Sequence, residues 1–506
     1  MTKPVSDHAT PPLIVTVSGI RGIYGENLTE DVMRGYVRAY CRDICSRRLS
    51  DTNIVVLGRD SRESGPALAQ VVIDEVAKWG LVCHNTGIVP TPTVQFYVQH
   101  TRALGGIMLT ASHNPRPWNG LKLVGENALF LSGSRLEGVY SNGATLQPLP
   151  EDLPEAPIDT PLLLEVDAVT PHVQSVLAVP YMDVEAIRSA NLKVAIDPIC
   201  GAGGVAMRAL LDALHVTVRL AVNDDQTGQF PRLPEPNSAN LAGFSQAMAD
   251  DGGCDMGIAQ DPDADRCVLL GGKGELIGEE LTLAVVIDSI LTFSRDSLPP
   301  LQDGRTSHSV ALNLSSSRLT DSVVRRYNST RRPQDPPLTV LRTPVGEANV
   351  ASVMVQAGSI AGGEGSGGVM IPDSHIGRDS LVAAGMALTW LARRRLSQPS
   401  APFAELCQEH MDVSLCMVKS KQRSPSNRAV IAALKALATE CRGDTEYTVR
   451  EDDGLHISSE DWWLHVRMSN TEPIFRICGE ATGSQAAEAL VAEWEERMTQ
   501  LVMQHA

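Results

Sequence analysis

Aromatic rings, paired cysteines and excess positive charge are all scarce in this chain, and each shortage closes off a class of function. Phe, Trp and Tyr make up 4% of the 506 residues, too few for the stacking platforms on which proteins hold single-stranded nucleic acid. Lys and Arg number 43 against 60 Asp and Glu, a formal charge of −17. Nucleic acids and anionic membranes need a basic face, so neither is an expected partner. Ten cysteines are spread thinly and none forms a C-x-x-C pair. Cys41 and Cys45, the nearest neighbours, suit a helix core better than a zinc site. No run reaches the ~18 uncharged apolar residues that span a bilayer; the best, Leu281 to Phe293, is interrupted by Asp288. The first twelve residues lack the apolar stretch of a signal peptide. The expected compartment is the cytoplasm.

What is present is an ordinary globular composition, 43% hydrophobic and 20% charged, at a length that implies three to four domains. Three apolar segments read as strands buried on both faces: Asn53 to Asp60, Leu192 to Pro198 and Ser309 to Ser315. Each is followed, roughly 50–65 residues on, by a short strand that ends in a polar or Gly-rich loop. These are Gly105 to Pro115, Asp255 to Arg266 and Ser359 to Gly368. The pattern predicts three related α/β units, each presenting one loop at a strand end, where such sheets bind ligands. Leu146 to Pro161 reads as a Pro-rich linker, and Gln398-Pro-Ser-Ala-Pro402 as the separator before a different pattern. There, strands Trp462 to Val466 and Ile474 to Cys478 precede a helix from Ser484 to His505, an α+β arrangement. The expected domains are 1–160, 161–275, 276–400 and 401–506.

The loops carry the chemistry. Asp261-Pro-Asp-Ala-Asp-Arg266 sets three carboxylates at alternate positions, a costly clustering unless a cation joins them. All-oxygen donors with no His or Cys beside them suit Mg²⁺. An EF-hand would need Gly sixth and Glu twelfth, where this chain has Arg266 and Gly272. Thr110-Ala-Ser-His-Asn-Pro115 places a hydroxyl at the end of an apolar strand, with Asn119-Gly120 reading as a further turn. Beside the acidic triplet, Ser112 becomes a candidate nucleophile or phosphoryl carrier, with His113 next to it and Lys122 as acid/base or phosphate partner. Gly363-Glu-Gly-Ser-Gly-Gly368 offers backbone freedom, one carboxylate and one hydroxyl for a polyol. Arg467-Met-Ser-Asn-Thr-Glu-Pro473, followed by Arg476, has the makings of an anion nest. Gly201-Ala-Gly-Gly-Val-Ala206 fits a dinucleotide fingerprint, but Asp-Pro-Ile-Cys separates it from its strand, which argues against a nucleotide cofactor.

Taken in this order, from Ser18-Gly-Ile-Arg-Gly22 to Arg476, the motifs resemble those of the α-D-phosphohexomutases: phosphoglucomutases, phosphomannomutases and phosphoglucosamine mutases. The resemblance implies three related α/β domains with mixed sheets and a C-terminal α+β domain around a central cleft. It implies that Ser112 is the phosphoserine, and that Ser112, through its phosphate, joins Asp261, Asp263 and Asp265 in holding Mg²⁺. Arg21, Lys122, His113 and His375 would lie near the reacting hydroxyl, with Lys122 and His375 as candidate bases. Thr343, Gly346, Glu364 and Ser366 would serve the sugar, and Arg266, beside the acids, would bind substrate where the site meets phosphate. Arg467, Ser469, Asn470, Thr471 and Arg476 would hold the non-reacting phosphate. Pro262 and Ala264 replace glycines common in the metal loop, Gly368 stands where several bacterial members have His, and Met468 and Asn470 replace the usual Pro and Gly. The implied reaction interconverts hexose 1- and 6-phosphates through a hexose 1,6-bisphosphate, which also activates the enzyme. Phosphoglucosamine is the leading substrate, with mannose and glucose phosphates as alternatives. A sugar phosphatase and a non-catalytic sugar-phosphate sensor are the rival readings.

Overall fold

The computed structural model describes residues 12–47, 51–150, 162–301, 304–468 and 474–505. The three expected buried strands form at Ile54–Arg59, Lys193–Asp197 and His308–Asn313. Each lies inside its own mixed sheet with one neighbour on either side. The three sheets repeat one order. A hairpin strand is followed by the strand that precedes the loop, then by the first strand of the unit, then by the second. In the first unit these are Trp118–Val124, Gly105–Leu109, Ile54–Arg59 and Val82–Ile88. In the second they are Cys267–Gly271, Met256–Gln260, Lys193–Asp197 and Thr217–Ala221. In the third they are Gly368–Met370, Ala361–Glu364, His308–Asn313 and Leu338–Thr343. The last three strands of each set run parallel and the hairpin strand antiparallel. The loops that carry Ser112, the three aspartates and Ser366 are therefore the turns between the last parallel strand and its antiparallel partner. A reversal there throws the loop out at the carboxyl end of the parallel strands, where α/β sheets bind ligands.

The fourth unit is a five-stranded antiparallel sheet in the order Leu415–Arg423, Ile474–Thr482, Trp462–Met468, Leu455–Ser458, Thr448–Arg450. Helices Asn427–Cys441 and Ser484–Gln504 contribute Leu437, Trp494 and Met498 to its core.

Several expected boundaries shift. Strand Leu163–Glu165 pairs with Val82–Ile88, so the first sheet extends past residue 160; 151–161 lie outside the described residues. Gln398 to Pro402 does not end the third unit. Helix Phe403–His410 follows it, and Phe403, Leu406 and Cys407 join the core shared by the second and third units. The Phe403 ring meets Trp390 edge-on at 5.7 Å. Asn119 and Gly120 lie within a strand, not a turn. Asp288 stays inside its apolar helix because four groups satisfy it: Trp390 Nε1 at 2.7 Å, Arg394 at 2.6 Å, Arg326 at 2.6 Å and the Thr292 hydroxyl at 3.0 Å. The glycines at 201, 203 and 204 serve packing. A Cβ there would run into Pro262, Gln260 and the Asp224 carbonyl respectively, and Ala202 N–H donates to the Pro262 carbonyl at 2.8 Å. They let a helix start press against the acidic loop, which accounts for the spacing without a nucleotide.

Among the described residues, no helix is long and apolar enough to cross a membrane.

Candidate active site

Ser112 sits in the loop after Gly105–Leu109, 2% exposed, with a backbone φ of 49°. The left-handed region costs a non-glycine residue roughly 1–2 kcal/mol, so something must hold it. Its N–H donates to Thr110 Oγ1 at 2.8 Å, and Thr110 Oγ1 donates to Asp60 at 2.7 Å. Arg62, fully buried, completes the clamp. Its Nε donates to Asp60 at 2.9 Å, Nη2 to the carbonyls of Ser112 (2.6 Å) and Asn114 (2.8 Å), and Nη1 to those of Pro115 and Trp118 (2.8 Å each). One guanidinium thus fixes four carbonyls of the loop. Sequence reasoning missed Asp60 and Arg62. The signal was there in Arg-Asp-Ser-Arg at the end of a buried strand, charges with no apolar reason to stand there.

The second and third loops use the same device. Ala264 (φ 51°) and Ser366 (φ 67°) are also non-glycine residues in the left-handed region. Strain of this kind persists where the surroundings over-determine the backbone, and it clusters at functional sites.

The loops meet across unit boundaries. Ser112 Oγ lies 3.4 Å from Asp261 Oδ2. Arg21 pairs across the sheet with Gly120, so it shares a face with Lys122 two residues on. Arg21 donates to the Asn114 side chain at 2.8 Å and to the Ala111 carbonyl at 3.4 Å, on the rim of the Ser112 loop. Lys122 Nζ bridges Asp263 at 2.7 Å and Asp265 at 2.9 Å. Thr91, at the start of a first-unit helix, donates its hydroxyl to Asp263 at 2.7 Å. Arg266 reaches His113 Nδ1 at 3.3 Å and lies 4.0 Å from Asp261.

The three aspartates are fully buried, and their charges respond differently. Burial, reinforced by Asp265 and Asp263, pushes the Asp261 carboxyl well above the usual range. Burial acts on Asp263 and Asp265 too, but Lys122 beside the first and Arg378 beside the second outweigh it and hold both down. Lys122, for its part, is held up: the two aspartates outweigh its desolvation, so it is an ammonium near neutral pH. Burial, with Arg266 and Arg21 nearby, pushes His113 well down, so that ring is neutral.

One oxygen of each triplet carboxylate lies within 4.8 Å of the others. Asp263 Oδ1 and Asp265 Oδ1 are buried without a hydrogen-bond donor among the described residues. Buried carboxylate oxygens left unpaired are costly, and hard oxygens so gathered fit a Mg²⁺-sized cation.

The third loop closes on the second through a residue that was not anticipated. Arg378 donates to Asp265 at 2.6 Å and to Glu347 at 3.0 Å, and lies 3.3 Å from Glu364. A Cβ at residue 368 would stand 2.5 Å from Arg378 Cδ, so Gly368 makes the room this side chain occupies. His375 is the residue expected near the reacting hydroxyl, but the side chain of this segment that joins the carboxylate cluster is Arg378. His375 is 1% exposed and has Asp379 and His172 as its neighbours. Glu364 also accepts from Asn313 Nδ2 at 2.8 Å and from Gly346 N–H at 2.7 Å. Thr343, one strand over, turns its hydroxyl to the Pro344 carbonyl. The second and third loops touch directly, Cys267 N–H donating to the Gly367 carbonyl at 3.0 Å.

The fourth unit joins through Asp453, which accepts from Val345 N–H at 2.8 Å and pairs with Arg467 at 3.3 Å. Arg467 and Arg476 are cross-strand partners. Like charges set opposite each other repel, an arrangement suited to a shared anion. Ser469, Asn470 and Thr471, between them, lie outside the described residues.

Residues 13–147, 170–274 and 288–413 match, in turn, the α/β/α domains I, II and III of phosphoglucomutase/phosphomannomutase. The chain is 32% identical over 473 residues to a phosphoglucomutase/phosphomannomutase of Thermococcus kodakarensis, covering 93% of this chain and 94% of that one. It is 28% identical over 481 residues to a protein of Methanopyrus kandleri named "Probable phosphoglucosamine mutase", covering 94% and 96%. Its fold superposes on the crystal structure of a phosphoglucomutase/phosphomannomutase family protein from Burkholderia thailandensis with a TM-score of 0.74, at 23% identity, over 96% of this chain and 98% of that one. Three matched domains in order and relatives aligned along nearly their whole length leave one conclusion: the chain belongs to the α-D-phosphohexomutases, the phosphoglucomutase/phosphomannomutase family.

Proposed function

We propose that this protein is a phosphohexomutase that interconverts hexosamine 1- and 6-phosphates with Ser112 as the phosphoryl carrier. The observation that carries the reading is the meeting of three loops from three units: the Ser112 hydroxyl beside Asp261, Lys122 across Asp263 and Asp265, and Arg378 from there to Glu364. A nucleophile, a cation site and a polyol-binding carboxylate stand in one constellation, as phosphoryl transfer to a sugar hydroxyl requires.

Asp261, Asp263 and Asp265 would hold Mg²⁺. When bound, the ion supplies positive charge to the transferring phosphoryl group. Glu364 accepts hydrogen bonds from sugar hydroxyls, while Asn313 and Gly346 hold its carboxylate in place. Arg467 and Arg476, with Ser469, Asn470 and Thr471, hold the phosphate that does not react. Arg21, Lys122 and Arg266 face the reacting group as cations and stabilise the charge it spreads over its oxygens. In the first half-reaction the Ser112 Oγ–P bond breaks as the bond from phosphorus to the sugar oxygen forms, and in the net exchange the sugar hydroxyl gives up a proton and Ser112 Oγ gains one. The bisphosphorylated sugar then turns end for end, and the second half-reaction runs the same exchange in reverse with the other phosphoryl group. Lys122, protonated at the start, stabilises charge and passes its proton to Ser112 Oγ as that oxygen leaves phosphorus, and it takes up the sugar hydroxyl proton in turn, so it ends the step as an ammonium again.

The preference for glucosamine rests on the name of the Methanopyrus relative and on the Gly-Gly-Val that follows Ser366. The test is side-by-side turnover of glucosamine, mannose and glucose 1-phosphates with catalytic bisphosphate and Mg²⁺. Formation of glucosamine 6-phosphate at the highest kcat/KM is the expected outcome. A faster mannose or glucose reaction overturns the substrate assignment, and release of inorganic phosphate in place of 6-phosphate overturns the mutase reading itself.

A further inference from the structure

A second buried cluster lies where the first three units meet, and the proposed mutase chemistry does not use it. His172 comes from helix Val169–Leu177 of the second unit. His375 and Asp379 come from the segment before helix Ser380–Ser397 of the third. Thr93 and Phe96, on helix Thr91–Thr101 of the first, cover His172. The Thr93 hydroxyl sits 2.9 Å from His172 Nδ1, and the Phe96 ring stacks on the imidazole at 5.1 Å. His172, His375 and Asp379 are all buried, at 0%, 1% and 0% exposure.

The three side chains converge. His172 Nε2 is 2.9 Å from Asp379 Oδ2, and His375 Nδ1 is 3.8 Å from the same oxygen. One ligand atom from each lies within 4.8 Å of the others. Donors about 2.0–2.1 Å from a tetrahedral ion stand roughly 3.3 Å apart, and the two measured separations bracket that spacing. Both nitrogens of His375 are buried without a hydrogen-bond partner among the described residues. A buried polar group left unpaired costs about 1–3 kcal/mol, and a wholly apolar side chain would avoid that cost here.

We propose that His172, His375 and Asp379 bind a divalent transition-metal ion of the zinc class, separate from the Mg²⁺ site and tying the second and third units together beneath the first. The two imidazoles are donors that suit Zn²⁺ and not Mg²⁺, and zinc accepts a carboxylate beside them. The surroundings already resemble an outer shell: Thr93 Oγ1 can accept the Nδ1 proton of His172, fixing Nε2 toward the ion, and Asp379 Oδ1 is oriented by Leu381 N–H at 2.8 Å. The ion holds structure and takes no part in the reaction, because the cluster is sealed on all sides.

The test is metal content. Full-length protein is incubated with equimolar Zn²⁺, dialysed in millimolar Mg²⁺ without chelator and analysed by mass spectrometry of the elements. About one zinc per chain is expected in the wild type and in Asp263→Asn, falling at least tenfold in His375→Asn. Equal zinc in His375→Asn overturns the proposal, as does less than a tenth of an equivalent in the wild type. Should His375→Asn fail to fold, the wild type alone decides. After chelation and gel filtration, Zn²⁺ added in Mg²⁺ buffer is to raise Tm by several degrees, and an absence of any shift overturns the assignment.

Discussion

Replacing Arg378 by Met removes a single guanidinium on which two units depend. The methionine stem keeps most of the volume beside Gly368, so the change is chiefly one of charge. Asp265, Glu347 and Glu364, all buried or nearly so, lose a cation at 2.6, 3.0 and 3.3 Å. Removing one partner of a buried ion pair costs about 3–5 kcal/mol, because the charge left behind has no water to return to. Lys122 remains on Asp265, so the loss should fall in that range rather than multiply with the number of carboxylates. Urea unfolding reads it directly. The metal should respond in the opposite sense. Two unit charges about 4 Å apart share ~4 kcal/mol at an effective dielectric of 20; relieving even a third of that repulsion tightens Mg²⁺ binding about tenfold. Arg378→Met is thus expected to be less stable and at least a hundredfold lower in kcat/KM, yet half-saturated at lower Mg²⁺. Arg378→Lys restores charge but not the fork that reaches several carboxylates, so stability should recover in part while kcat/KM stays low. Unchanged unfolding together with unchanged or weaker Mg²⁺ dependence would refute the role assigned to this residue.

Three further outcomes are expected. Ser112→Ala keeps every backbone contact to Arg62 and should unfold like the wild type within about 1 kcal/mol, while bisphosphate-dependent isomerisation falls to background; measurable turnover removes Ser112 as the carrier. Arg62→Met takes the cation from buried Asp60 and a donor from each of four carbonyls around the loop, and should lose about 3–5 kcal/mol in urea, with phosphorylation of Ser112 by bisphosphate, followed by mass, slowed in whatever protein remains folded. In the fourth unit, burial pushes His456 down to about 3. Its folded value lies below the unfolded ~6.5, so the unfolded chain binds the extra proton in between. Stability is then fully present above about pH 6.5 and lost on acidification, by up to ~1.4 kcal/mol per pH unit. His456→Asn should flatten that slope between pH 6 and 4, and a slope identical to wild type counts against the assignment.

A likeness to several loops at once, rather than any single residue, made the family legible. Three apolar strands, each leading to a polar loop, stated the repeat. Alternate aspartates stated a cation, because adjacent carboxylates repel whatever the fold. The helices Ser380–Ser397 and Ser484–Gln504 and the strand Trp462–Met468 matched their patterns within a few residues, since side-chain periodicity and end signals are local properties. Boundaries fared worse. Phe403–His410 packs on Trp390 of the third unit although a Pro-rich stretch precedes it, because burial depends on what lies opposite and not on the chain behind.

What sequence alone determined here is the set of loops and the type of chemistry each can do, since residue identity and local spacing fix donors, acceptors and charge. Which charges face one another was decided only by the tertiary structure. Lys122 and Asp265 are 143 residues apart, and Arg378 and Asp265 are 113 apart. Arg62 gained its role only when a loop fifty residues on wrapped its carbonyls around it. His375 and Arg378 differ by three positions, yet one joins the carboxylates and the other a separate buried cluster. Coulomb energy and desolvation depend on distance through space, and the order of residues along a chain does not contain that distance until the sheets have packed.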